Sequence, residues 1–321
     1  MPEPYQALIS DEKEKDSPDF KYNDEATPFA TQGKEIAQLI RKKAASEEFA
    51  PLLESIEQEA AAAGMPDPQL ASTDAFMTSI CWVGSKSMSH VIACIERSKE
   101  RLLEIGNGNP TARKQIITSV MEYWKFQQGV GGVILDKLLN YNILTPASVV
   151  EWALIDHVQH GTFLASAWGY ELISNTARKV ANRVKSVVDA IRQPGLDDEQ
   201  SAQLQQALAQ EQEDMKALFT TIEEAVVSLR DGHQDERMES SEEDEAMLKA
   251  WSGKWVRVFQ RRYAVEESWV REELAKPIPV VEEPAPAPTA GDALMNEAPS
   301  AAATNGAGEN GTVMVDDDGI E

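Results

Sequence analysis

A chain of 321 residues, 42% of them hydrophobic, can fill one large core or two small ones, yet no apolar run reaches the roughly 20 residues that span a bilayer. Its net charge of −24 is concentrated in three stretches: residues 1–25 (eight acidic, three basic), 231–245 (eight acidic, one basic) and 276–321 (nine acidic, one basic). The body between them carries only −4, which makes it a poor candidate for wrapping nucleic acid through counterion release.

Residues 1–28 hold Pro2, Pro4, Pro18 and Pro28 with no hydrophobic period, so they predict an extended, acidic leader without a secretory signal. Phe20 and Tyr22 are its conspicuous aromatics, either tucked against the first helices or offered to a partner. Residues 29–275 predict a helical-repeat domain. Ile36, Leu39 and Ile40 mark its first helix, and Phe49, Leu52, Leu53 and Ile56 the second, which stops at Gly64 before Pro66. Phe76, Ile80, Cys81 and Val83 mark a third. A fourth runs over Val91, Ile92, Ile95, Leu102 and Leu103, capped by Ser87 or Ser89 and closed by Gly106. Cys81 and Cys94 lie on consecutive helices, form no ligand cluster and fit buried thiols in a reducing compartment. Antiparallel pairs of this kind are HEAT-like, although no fixed sequence period recurs.

Val120–Leu154 is the densest apolar stretch and predicts the inner wall of the domain. Its helices stop and start at Gly129, Gly131 and Gly132, at Asn142, and at Thr145, an N-cap followed by Pro146. Further on, Ile173, Ala177, Val180, Val184, Val187 and Ile191 alternate steps of four and three. Beyond Pro194-Gly195, positions Leu204, Leu208, Glu211, Met215, Leu218, Ile222, Ala225 and Leu229 do the same. Residues 170–230 thus predict an antiparallel coiled-coil hairpin with arms of about 30 Å, polar outside and projecting from the body. Glu211 interrupts its seam near Val184, where Arg183 is the expected ion-pair partner. Residues 231–245 read as an acidic loop, in which Ser240 and Ser241 suit helix capping better than phosphorylation. One long last helix carries Met247, Leu248, Trp251, Trp255, Val258, Phe259 and Trp269 into the core. The Pro/Ala-rich acidic residues 276–321 predict a disordered tail.

No residue set predicts catalysis, a cofactor or a metal. His157 and His160 lack a third ligand, and helix-end capping explains them better than zinc. Ser85, Ser87 and Ser89 around Lys86 lack an oxyanion framework, and the only aspartate cluster, Asp316–Asp318, falls in the tail. Arg178, Lys179, Arg183, Lys185 and Arg192 give the first hairpin arm its basic side chains. Without interleaved aromatics they suit ion pairs on a solvated face better than RNA. Phe20, Tyr22, Arg178, Arg183 and Lys185 are therefore the candidate partner surface.

The wording of several stretches goes further. Val120-Met121-Glu122-Tyr123-Trp124, Val133-Ile134-Leu135-Asp136-Lys137-Leu138-Leu139 and Val149-Val150-Glu151-Trp152 occur in that order. They are preceded by Phe20-Lys21-Tyr22 and Ser85-Lys86-Ser87-Met88-Ser89-His90, and followed by Trp168-Gly169-Tyr170-Glu171. Together they resemble the C-terminal third of the large subunit of the nuclear cap-binding complex, over roughly residues 18 to 275. The resemblance implies a helical-repeat fold like the middle domain of translation initiation factor 4G. It implies a non-catalytic scaffold that embraces a small RNA-recognition-motif subunit, through which 7-methylguanosine-capped RNA is bound indirectly. It further implies RNA-processing and export factors as partners, in splicing, export, nonsense-mediated decay and translation, with residence in the nucleus, cytoplasmic shuttling and no membrane. The family's first two helical domains have no counterpart here. On that ground Met1 is expected to be internal to a longer protein or the start of a fragment, and the chain alone is expected to hold the small subunit weakly, if at all. The competing reading is a coiled-coil and helical-repeat interaction scaffold with no role at an RNA cap.

Overall fold

The computed structural model describes residues 18–156, 162–231 and 242–277. Helices α1 (Ala30–Lys42), α2 (Ala50–Ala62), α3 (Pro68–Gly84), α4 (Met88–Arg97), α5 (Lys99–Gly106) and α6 (Pro110–Tyr123) come first. Then follow α7 (Gln128–Asn140), α8 (Pro146–Glu151), a π-turn (Trp152–Asp156), α9 (Thr162–Ala165), α10 (Ala167–Ile191), α11 (Asp198–Arg230) and α12 (Glu242–Ala275). No strand occurs among the described residues. The all-helical, helical-repeat fold class expected from the periodicity is the one observed.

Local chemistry sets the boundaries. Gly64 takes the left-handed conformation that ends α2, with Met65 N–H closing onto the Ala60 carbonyl. The Ser87 hydroxyl accepts the His90 N–H, and Asn109 and Thr145 cap α6 and α8 ahead of Pro110 and Pro146. The expected fourth helix is two, α4 and α5, broken at buried Ser98. Another expectation fails at the α6–α7 connection. Gly129, Gly131 and Gly132 lie inside α7 rather than in a turn, and Gly131 lets α7 approach α6 so closely that a Cβ there would meet Met121 Sδ at 2.7 Å.

The most enclosed element is α3, which packs against α1, α2, α4 and α6. It is buried on every side because it combines Phe76, Met77 and Ile80 with Ala71, Ser72, Thr73, Ala75, Thr78 and Ser79. Short side chains admit neighbouring helices closely, and two of their hydroxyls bond across to those neighbours: Ser72 donates to Glu57 at 2.7 Å, and Ser79 to the Gly33 carbonyl at 3.3 Å, while Thr73 Oγ1 is buried without a partner. Val120–Leu154, expected as the inner wall, buries Trp124 just after α6, Ile134 in α7, Val149 in α8 and Trp152 in the π-turn, while Val133 remains 46% exposed.

The hairpin of α10 and α11 forms with the expected seam, including Ala177, Val180, Val184, Met215 and Ile222. Its outer surface is not polar throughout. Phe219 and Val226, off the heptad positions, are buried, and α12 packs along α11 and touches α10 and α9. Aromatic rings seal this third helix: Phe219 meets Phe259 at 6.3 Å and Tyr263 at 5.5 Å, and Trp255 donates its indole N–H to the Leu164 carbonyl at 2.9 Å. At the hairpin tip Arg192 donates to the carbonyls of Glu273, Lys276 and Pro277, so α12 runs out to the turn. The expected Glu211–Arg183 ion pair does not form among the described residues, and Glu211 Oε2 is buried without a partner. The leader before residue 18, His157 and His160, most of the acidic loop with Ser240 and Ser241, and the tail beyond Pro277 lie outside the described residues.

Candidate functional site

The five candidate partner residues separate into three environments. Phe20 and Tyr22 are each 2% exposed, tucked against the first helices rather than offered to solvent. Phe20 stacks on Trp82 at 4.1 Å and 7°, and the Arg41 guanidinium lies over the same indole at 4.1 Å. Tyr22 packs on α1 above Gly33, where a Cβ would meet the ring at 2.5 Å. Its hydroxyl donates to Asp74 Oδ2 at 2.7 Å. The same carboxylate pairs with Lys21 at 2.5 Å and accepts Ser119 Oγ at 2.8 Å, so it joins the leader, α3 and α6. Burial first, and the Asp74 charge second, push the Tyr22 phenol far above its ordinary range.

Lys185 faces α12. It pairs with Glu266 at 2.7 Å and lies 5.3 Å from the Trp269 ring centre. That cation is spent within the fold, in a cross-helix ion pair with α12. Arg183 is half-buried on the same arm.

Arg178 is exposed and lines a groove of about 270 Å³ between α7 and α10. One wall is the start of α7, where Gly129 and Gly132 would accept a Cβ without contact and Val133 is exposed. The other wall is one face of α10, with half-buried Trp168, then Glu171, Asn175 and Arg178. Asn175 Oδ1 accepts Arg178 Nη2 at 2.8 Å and steadies the guanidinium. Across the groove Asp136 is held by Lys179 at 2.9 Å, and Lys179 also reaches Asn140. The groove thus has an apolar floor and a charged rim. Sequence periodicity located Arg178 but missed the groove. The legible signal was the excess of glycines with an aliphatic residue at the head of α7.

No group of three or more His, Cys, Asp or Glu that could hold a metal ion exists among the described residues. Ser87 is a helix cap, and Ser85 Oγ donates to the Trp82 carbonyl at 2.8 Å. Cys81 and Cys94 are buried, free thiols, and burial pushes the Cys81 thiol up to about 12. No described helix is long and apolar enough to cross a membrane.

The family described as MIF4G like matches residues 20–268. Nuclear cap-binding protein subunit 1 of Schizosaccharomyces pombe is 24% identical over 188 residues, 59% of this chain and 23% of that protein. Subunit 1-A of the same name from Xenopus laevis is 21% identical over 253 residues, 67% of this chain and 30% of that protein. The Arabidopsis thaliana subunit 1 is 24% identical over 106 residues, 33% of this chain and 12% of that protein. The chain therefore spans 12% to 30% of the length of these relatives, whose names agree with the resemblance carried by its own motifs. Matched from residue 20 to residue 268 of its 321, the chain belongs to the MIF4G-like family.

Proposed function

We propose that this chain is a scaffold subunit of a nuclear mRNA cap-binding complex. It takes no chemical step itself. It holds a small RNA-recognition-motif partner, and that partner binds the 7-methylguanosine cap. The reading is carried by the family match over residues 20–268 together with the shared name of the relatives. The physical logic is preorganisation: a rigid helical frame absorbs the ordering entropy of a flexible partner, so less of the cap's binding energy is lost. Support from the geometry is a densely packed frame in which α3 is enclosed on all sides, beside an open groove at Arg178 that suits a partner segment. Roles in splicing, export, nonsense-mediated decay and translation, and movement between nucleus and cytoplasm, follow from membership of such a complex.

The test is co-purification from nuclear extract. Capped RNA retained with the chain and displaced by free cap analogue is the expected outcome. Equal retention of capped and uncapped RNA, or retention that the analogue leaves unchanged, overturns the reading in favour of a helical interaction scaffold without a cap role.

A further inference from the structure

Within a chain of net charge −24, the stretch between Glu245 and Glu266 contains no acidic residue and five basic ones: Lys249, Lys254, Arg257, Arg261 and Arg262. All belong to α12, and helix geometry sorts them. Arg262 turns inward and donates to the Ser174 carbonyl at 3.1 Å and to Ser174 Oγ at 2.7 Å. Lys254, Arg257 and Arg261, spaced three and four apart, share the face opposite buried Ser252, Trp255 and Phe259. Arg257 and Arg261 make no ion pair with an acidic side chain among the described residues. Alongside them runs a second row at intervals of seven, half-buried Trp251, then Val258 at 42% and Val265 at 59% exposure. Exposed valines at heptad spacing on a helix whose opposite face is already packed have no role in this chain's own core.

We propose that this face of α12 docks an acidic amphipathic helix of a partner protein. Complementarity of charge and shape identifies the occupant. Three cations beside an aliphatic row match a helix with a leucine or isoleucine stripe flanked by glutamates, which buries the valines and pairs with the basic row. A single-stranded RNA would answer only the charge. Exposed valines offer no stacking surface, and the Trp251 face is covered by the Lys254 ammonium at 4.0 Å from the ring centre. The face ends where Glu272 rims a shallow hollow with Arg261, Val265 and Trp269, so a basic residue near one end of the partner helix sets its direction. The α7–α10 groove is a separate feature, and this interface stands whether or not the cap-complex reading holds.

The probe is a synthetic amphipathic helix, three heptads long, with leucines on one stripe and glutamates flanking it. Fluorescence anisotropy with the full chain should show saturable binding. The double reversal Arg257→Glu with Arg261→Glu should weaken it by roughly ten-fold or more, as expected for two facing charge pairs turned repulsive. Val258→Ser should weaken it as well, and circular dichroism should report an unchanged helical fold in each variant, since both sites are exposed. Probe binding that is indifferent to the reversal, tighter binding of an oligouridylate that the reversal abolishes, or equal binding of a lysine-flanked helix each overturns the proposal.

Discussion

Asp74 shows how one carboxylate organises its surroundings. It accepts the Tyr22 hydroxyl and the Ser119 hydroxyl and pairs with Lys21, while Tyr123 reaches the Pro18 carbonyl at 3.4 Å, so the chain leading into the fold is tied down by polar bonds over a stacked Phe20. The buried phenol of Tyr22 stays protonated in the folded state far above the ordinary tyrosine range, and Cys81 and Tyr123 are each pushed up to about 12, chiefly by burial. Raised acid constants fix the sign. Their contribution is complete below the unfolded values, about 8.5 for the thiol and about 10 for the phenols, where the unfolded chain also keeps its protons. It is lost as pH rises through the folded values, because the unfolded chain then releases protons that the folded one retains. Thermal unfolding followed by circular dichroism should show a midpoint that falls above about pH 9. Tyr22→Phe should make that fall shallower while costing about 1 to 2 kcal/mol at neutral pH through the lost hydrogen bond. Glu211 gives the opposite expectation. Its Oε2 is enclosed in the hairpin without a partner, so Glu211→Leu should stabilise the fold by about 1 to 3 kcal/mol, read as a higher midpoint in urea titration.

At the scale of elements, α3 and α12 illustrate two ways of joining a core. Helix α3 does so by setting small side chains among Phe76, Met77 and Ile80, and the close approach they allow makes it the hub of the first helices. Helix α12 does so with rings. Trp255 and Phe259 insert against Tyr170 and Phe219, with Trp255 and Phe259 themselves 5.5 Å apart. Phe259 is 1% exposed, so Phe259→Ala leaves a void at the junction of α10, α11 and α12 and should cost about 3 to 5 kcal/mol. The same variant should shift tryptophan emission to the red as Trp255 gains access to water. The heptad pattern located α10 and α11 because their seam recurs at regular spacing. It missed the burial of Phe219 and Val226, since those positions serve a third helix whose arrival is not encoded in the local period. For the same reason it assigned Val258 to the core, although α12 presents it to solvent.

For the described molecule as a whole, helices that touch several neighbours should outlast those that touch few. Native-state hydrogen exchange should accordingly find its slowest amides in the middle of α3, around Phe76 to Ile80, and faster exchange along the solvent face of α12, with the reverse order counting against the packing described. What lay legible in the residues was everything set by neighbours along the chain: helical class, the caps at Ser87 and Thr145, the Gly64 stop, the hairpin, and the motifs that place the chain among MIF4G-like proteins. Of the candidate site, Arg178 was legible as an exposed cation, but its groove needs α7 to lie beside α10, and Phe20 and Tyr22 needed α3 to bury them. Local rules act through the 3.6-residue period and through hydrogen bonds spanning a few residues, so sequence alone determined the elements. Which face of each helix meets solvent depends on contacts between residues far apart in the chain, as between Tyr22 and Asp74 or between Arg192 and Pro277, and only the tertiary structure decided it.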